Sequence, residues 1–147
     1  MLAPTTPRGL VVVTGGSGYI AGYCIAQLLN EGWRVRTTVR NLGRAEEVRA
    51  TIGKVAANAA AIEFAAADLN SDAGWANAVA GAHFVLHVAS PVPAVDPKTD
   101  DELVRPARDG ALRGRCHANL NLRREVRKSR LGLMLPSRLA TSGTRCL

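Results

Sequence analysis

Gly15, Gly16 and Gly18 stand between an apolar run, Val11–Val13, and a segment in which Tyr19, Cys24, Ile25, Leu28 and Leu29 recur at helical spacing. A short run of β-branched residues reads as a buried strand. A chain that turns from such a strand straight into a helix needs positive φ or bare backbone at the turn, which glycine supplies. The helix then presents backbone N–H groups and the positive end of its dipole to whatever lies in front of it. Together these parts make a receptor for an anion, and the pyrophosphate of a dinucleotide is the expected one. The spacing reads as Gly16-x-Gly18-x-x-Ala21 or as Gly15-x-x-Gly18-x-x-Ala21. Ala21 falls where the helix packs on the strand, and alanine is accepted there.

The elements that must hold this turn follow from the rest of the pattern. Gly9–Thr14 reads as the first strand and Gly18–Asn30 as the first helix, with Gly32 as its C-terminal glycine. Trp33–Val39 alternates and is β-branched, as a second strand is. Arg44–Ala57 has helical composition, weakened near Gly53, and Ala61–Ala66 reads as a short third strand. Ser71 or Asp72 can cap a helix that runs to Ala80 and stops at Gly81, and His83–Ala89 reads as a fourth strand. Alternating strands and helices at this spacing predict α/β architecture: a doubly wound parallel sheet of about four strands in the order 3-2-1-4. A ligand then lies across the carboxyl ends of the strands, near strands one and four.

The end of the second strand separates two cofactors. An acidic side chain there holds the ribose 2′-hydroxyl of NAD, whereas the 2′-phosphate of NADP needs a cation. Thr37, Thr38, Val39 and Arg40 stand at this place, with no carboxylate before Glu46. Arg40 has the planar fork that suits a phosphate, and Arg44 is the next candidate, so NADP(H) is favoured over NAD. His83 and His87 alternate onto one face of the fourth strand. Without cysteines or carboxylates at ligand spacing, they read as structural, and no metal site is expected.

Four phrases in order, VVVTGGSGYIAG at 11–22, RVRTTVR at 34–40, ADLNSDAGW at 67–75 and HVASPVP at 87–93, resemble the extended short-chain dehydrogenase/reductase superfamily. The branch they resemble holds the dihydroflavonol and cinnamoyl-CoA reductases, NADPH-dependent reductases of ketones and aldehydes. The likeness covers residues 9–113 and implies a Rossmann-type fold. It implies cofactor contacts at Thr14, Gly15, Gly16, Ser17, Gly18, Tyr19 and Ile20 around the phosphates, with Arg40 on the 2′-phosphate. It also implies that Asp68 and Leu69 contact the adenine through a carboxylate and a backbone N–H. On the residues alone, Asp68 could equally cap a turn. Val88, Ala89 and Ser90 would let a ribose approach the backbone, although Ser90 before Pro91 could simply end the strand. The implied substrate is a small-molecule carbonyl compound.

The catalytic pair of that superfamily is absent. Its reductases use Tyr-x-x-x-Lys on a helix, where i, i+4 spacing brings both side chains to one face, together with a serine. Here Tyr19 and Tyr23 are the only tyrosines, and no lysine follows either by four residues. No catalytic residue is therefore assigned, and turnover is not expected.

Charge divides the chain as well. Residues 1–113 carry eleven basic and eleven acidic side chains, whereas residues 114–147 carry eight basic and one acidic, the source of the whole net charge of +7. The residues accordingly divide into an extension at 1–8, a partial NAD(P)-binding Rossmann domain at 9–113 and an irregular basic tail at 114–147. Residues 101–113 still resemble the family's next helix, with Pro106 in its first turn, and the likeness stops at Gly114. The tail reads as sequence not selected to pack, through a frame or splice change, rather than as a basic arm for nucleic acid or an anionic membrane, since it has no aromatic residue on which a base could stack. A non-catalytic nucleotide-binding protein and a basic-tail nucleic-acid binder are the alternative functions. Cys24, Cys116 and Cys146 suggest no disulfide framework and suit a reducing cytoplasm. MLAPTTPRG at the start reads as neither a secretory signal nor a membrane anchor.

Overall fold

The computed structural model describes residues 8–91 and 98–129. Four strands, β1 (Arg8–Val13), β2 (Trp33–Val39), β3 (Glu63–Ala66) and β4 (Phe84–Leu86), form one sheet in the order β3-β2-β1-β4, parallel throughout. This is the expected Rossmann-type half-sheet. Helix α1 (Tyr19–Asn30) follows β1 and α2 (Ala45–Gly53) follows β2. A single-turn α3 (Trp75–Ala78) precedes β4, and the long α4 (Asp100–Ser129) follows it.

Side chains alternate across a strand, so Val11 and Val13 face one side of β1 and Val12 the other. Val11 and Val13 join Ile25 and Leu29 of α1, Val35 and Val39 of β2, and Val48 and Ile52 of α2 in one buried cluster. Each such side chain, taken fully out of water, contributes about 1.5–3 kcal/mol. On the other side Val12, Trp75 and Val79 are buried, and α3 packs on β2, β3 and α4.

Several elements are shorter than the sequence predicts, for local reasons. The helix expected from Ser71 or Asp72 to Ala80 is reduced to one turn. The Asp68 carboxylate accepts from Asn70 N–H, and Gly74 starts the turn with φ +84°, where a side chain would run into Ala66 O. Arg36 supports its far end: Nη1 donates to the carbonyls of Asn77, Ala78 and Ala80, while Nε and Nη2 reach Glu63. The fourth strand stops at Leu86 rather than Ala89, because the N–H groups of Val88 and Ala89 turn to the Thr14 hydroxyl instead of a ladder carbonyl. The third begins at Glu63, after a 3₁₀ turn at Ala59–Ala61.

The helix after β4 differs in the opposite sense. It starts at Asp100 with Asp101 and Glu102 in its first turn, where negative charge is favoured, and it does not end where the family likeness ends. It continues through Gly114 to Ser129, so the expected irregular tail is helical over that stretch; Arg, Leu, Ala, Lys and Glu are good helix formers. Pro106 lies inside this helix rather than in its first turn. Residues 130–147 and 1–7 lie outside the described residues. Cys24 is a free thiol.

Candidate cofactor-binding site

Thr14, the residue after β1, organises the crevice at the carboxyl ends of the strands. It is fully buried, and its Oγ1 accepts from Val88 N–H and Ala89 N–H, each at 3.0 Å. With both lone pairs used, its own hydrogen goes to Nδ1 of His87, 3.1 Å away, which assigns neutral His87 the Nε2–H tautomer. Desolvation holds the His87 pKa below the ordinary histidine value. His83 is used in a similar way, its Nδ1 accepting from Leu10 N–H at 3.0 Å. Both histidines hold hydrogen bonds within the fold, and no group of metal-binding side chains occurs among the described residues.

The glycine turn separates into two kinds of residue. Gly15 adopts φ +76°, and a Cβ there would lie 2.9 Å from Ala89 Cα. Gly16 sits against Thr37, so the fold itself requires both glycines. Ala89 packs on Gly15 and also lines the cleft where a ribose is expected. Gly18 differs: its φ of −83° suits any residue, and the one atom near a Cβ there is Gly15 O at 3.2 Å. Its outer side is open.

The N–H groups also divide. Gly15 N–H donates to Thr38 Oγ1, Gly16 N–H to Thr38 O and Gly18 N–H to Gly15 O. These three are spent inside the protein. Among the described residues nothing accepts from the N–H groups of Ser17, Tyr19 and Ile20, and α1 has no side-chain cap and no acid in its first turn. The sequence put an anion receptor at this turn, on Gly15, Gly16, Gly18 and neighbouring backbone; the N–H groups of those three glycines donate within the protein. An uncapped helix start with unpaired donors and a positive dipole end attracts an anion.

Most of the expected residues line one cleft of about 790 Å³: Gly15 and Ser17–Ile20, Arg40, Asp68 and Leu69, and Val88–Ser90. Thr14, Gly16 and Arg44 lie outside its lining. Thr14 acts from beneath, through the strand ends. Arg44 is engaged by Glu47, with Nε and Nη2 each 3.1 Å from a carboxylate oxygen, and the pair raises the arginine pKa and lowers that of the glutamate. It borders a second hollow of about 360 Å³ between α1 and α2, beside Tyr19 and Tyr23. Arg40 is exposed in the main cleft and has no carboxylate partner among the described residues, whereas Arg34, Arg36, Arg44 and Arg49 are all ion-paired.

Asp68 does cap a turn, through Oδ1 and Asn70 N–H at 2.9 Å, and it lines the cleft as well. Two contributors escaped the sequence reading. Thr38 fixes the glycine turn with both its hydroxyl and its carbonyl, and Trp75, 1% exposed, donates from Nε1 to the carbonyls of Asp68 and Ser71. The buried Trp75 anchor was signalled only by a tryptophan in an otherwise polar loop.

The chain is similar to several reductases. Tetraketide alpha-pyrone reductase 1 of Arabidopsis thaliana is 36% identical over 121 residues, covering 81% of this chain and 37% of the relative. A dihydroflavonol 4-reductase of Hordeum vulgare is 32% identical, covering 71% and 29%. Among solved structures, vestitone reductase from alfalfa matches at 30% identity and a TM-score of 0.55, covering 78% of this chain and 33% of that one. A yeast methylglyoxal/isovaleraldehyde reductase complexed with NADPH matches at 25% and 0.60, covering 74% and 32%. The chain spans about a third of the length of these relatives. The NmrA-like family model matches residues 7–105, more than half of the chain. The chain belongs to the NmrA-like family, among the extended short-chain dehydrogenase/reductases that include the dihydroflavonol reductases.

Proposed function

We propose that this chain binds NADP(H) across the ends of β1, β2 and β4. The observation that carries the reading is the uncapped start of α1 beside Gly18: among the described residues nothing accepts from the N–H groups of Ser17, Tyr19 and Ile20, and a Cβ at Gly18 would meet only Gly15 O, at 3.2 Å. The pyrophosphate sits against Ser17, Tyr19 and Ile20. Arg40, unpaired at the end of β2, holds the 2′-phosphate and selects NADP over NAD, with Arg44 reaching it only after leaving Glu47. Asp68 and Leu69 receive the adenine, and Val88, Ala89 and Ser90 border the ribose on the nicotinamide side.

The chemistry such a cleft serves is hydride transfer to the carbonyl of a small ketone or aldehyde, as the reductase relatives' names support. That step leaves an alkoxide, which needs a proton donor. No Tyr-x-x-x-Lys occurs in these 147 residues, so the chain binds cofactor without turning over. A nucleotide-binding protein without catalysis is the same reading in functional terms. The free thiol of Cys24 supports cytoplasmic residence. No described helix is long and apolar enough to cross a membrane.

Titrating NADPH into the wild-type chain and Gly18→Val, with fluorescence as the readout, tests the assignment. A valine at this position occupies the open space in front of the amides, so affinity should fall steeply while the circular dichroism spectrum is retained. Equal affinities would sink the pyrophosphate assignment.

A further inference from the structure

The loop that carries Asp68 and Leu69 is held from two sides. From within, Trp75 Nε1 grips the carbonyls of Asp68 and Ser71. From outside comes α4. Arg113 donates from Nη1 to the Leu69 carbonyl and from Nε to the Asp72 carboxylate. One turn earlier, Gly110 is buried against the same loop: a Cβ there would lie 2.8–2.9 Å from Leu69 side-chain atoms. One turn later than Gly110, Gly114 is buried beside Trp75, its virtual Cβ 3.5 Å from the indole. The helix backbone therefore lies directly on the loop, and Arg113 is its one charged hook among these contacts.

Its planar fork spans two acceptors three residues apart, a carbonyl and a carboxylate, which the point charge of a lysine cannot do in the same way. Asp72 is 79% exposed and Arg113 27%, so the ion pair is largely water-accessible and adds little to global stability. Its effect falls on geometry. Binding the Leu69 carbonyl fixes the plane of the peptide that follows it, and binding Asp72 closes the turn that Asp68 opens with its bond to Asn70 N–H. Asp68 and Leu69 both line the main cleft, whereas Arg113 does not.

We propose that Arg113 is a positioning residue for the adenine side of the cleft: from α4 it sets the Asp68–Leu69 segment in the orientation that a bound nucleotide meets. The cofactor part of this inference rests on the NADP(H) reading given above. The loop clamp itself does not.

The test uses the full chain as wild type, Arg113→Ala, Arg113→Lys and Asp72→Asn, with two readouts. Hydrogen exchange reports on the clamp, and titration with 2′,5′-ADP, the adenine half of NADPH, reports on the cleft. For Arg113→Ala, exchange at the Asn70 and Ser71 amides should rise at least fivefold, while amides of β1 and α1 stay as protected as in the wild type. Affinity for 2′,5′-ADP should fall by about five- to tenfold, with a smaller loss for Arg113→Lys. Arg113→Ala and Asp72→Asn combined should cost less than the two separate losses together, because both break one contact. Unchanged exchange at Asn70 and Ser71 would overturn the clamp. Raised exchange with undiminished 2′,5′-ADP binding would overturn the positioning role and leave the NADP(H) reading standing. Failure of the wild type to bind 2′,5′-ADP at all would overturn the NADP(H) reading, and the positioning role with it.

Discussion

In the proposed NADP(H) reading, Arg40 is the residue on which cofactor choice turns. Around it the other arginines of β2 and its following helix are neutralised by Glu46, Glu47 or Glu63, and Arg40 alone of that group keeps its fork for a ligand. A hydrogen bond to a charged group is worth about 1.5–3 kcal/mol, so Arg40→Ala should weaken NADPH by roughly ten- to a hundredfold and leave NADH almost unaffected. Parallel titrations with the two cofactors check this; equal losses would assign Arg40 a different task. Its place was legible because it needs only a strand end and the absence of a nearby acid. The roles of Thr38 and Trp75 were not, since each depends on a partner distant in sequence or on the path of a loop. For the same reason the sequence could not tell that Gly15, Gly16 and Gly18 spend their own N–H groups internally.

At the scale of elements, one hydroxyl ties the end of β1 to the chain that follows β4. Thr14 bonds Val88, Ala89 and His87 together, and protonating His87 at Nδ1 would turn an acceptor into a donor facing the Thr14 oxygen. Since the folded-state pKa of His87 lies below its unfolded value, the unfolded chain binds more protons in that window. Stability from this group is therefore complete above about pH 6.5, the ordinary histidine value, and is lost as pH falls below it. Urea midpoints at pH 7.5 and 5.5 should differ, and His87→Asn, which offers an acceptor that does not titrate, should narrow the difference. An equal drop in both proteins would remove His87 as its cause. Strand order and β2 were readable from periodicity, and Trp33–Val39 is found with the expected bounds. The ends of β4 and α3 were not, because side chains of Thr14 and Asp68 compete there for backbone N–H groups that would otherwise extend the element. The continuation of α4 beyond Gly114 rests on helix propensity alone, with no family motif to mark it.

Across the whole molecule, the proposed NADP(H) cleft is paired with a sequence that holds no Tyr-x-x-x-Lys pair. β4 forms an edge of the described sheet, with Phe84 61% and Leu86 41% exposed, so this side presents apolar residues that invite pairing with another strand. General acid catalysis is worth about 10²–10⁴-fold, and the missing pair also orients the nicotinamide ribose in the reductases this chain resembles. NADPH consumption with a panel of aldehydes and ketones should stay at the rate without protein, and clear turnover would show that the proton donor lies elsewhere in the chain. The net positive charge lies in residues 114–147, so it bears on partners of that segment and not on the balanced region that forms the cleft. The most direct test of the central claim is a calorimetric titration of the 147-residue chain with NADPH and, separately, with NADH. Saturable one-to-one binding of NADPH, at least tenfold tighter than NADH, is the predicted result. No binding of either, or equal binding of both, would contradict it.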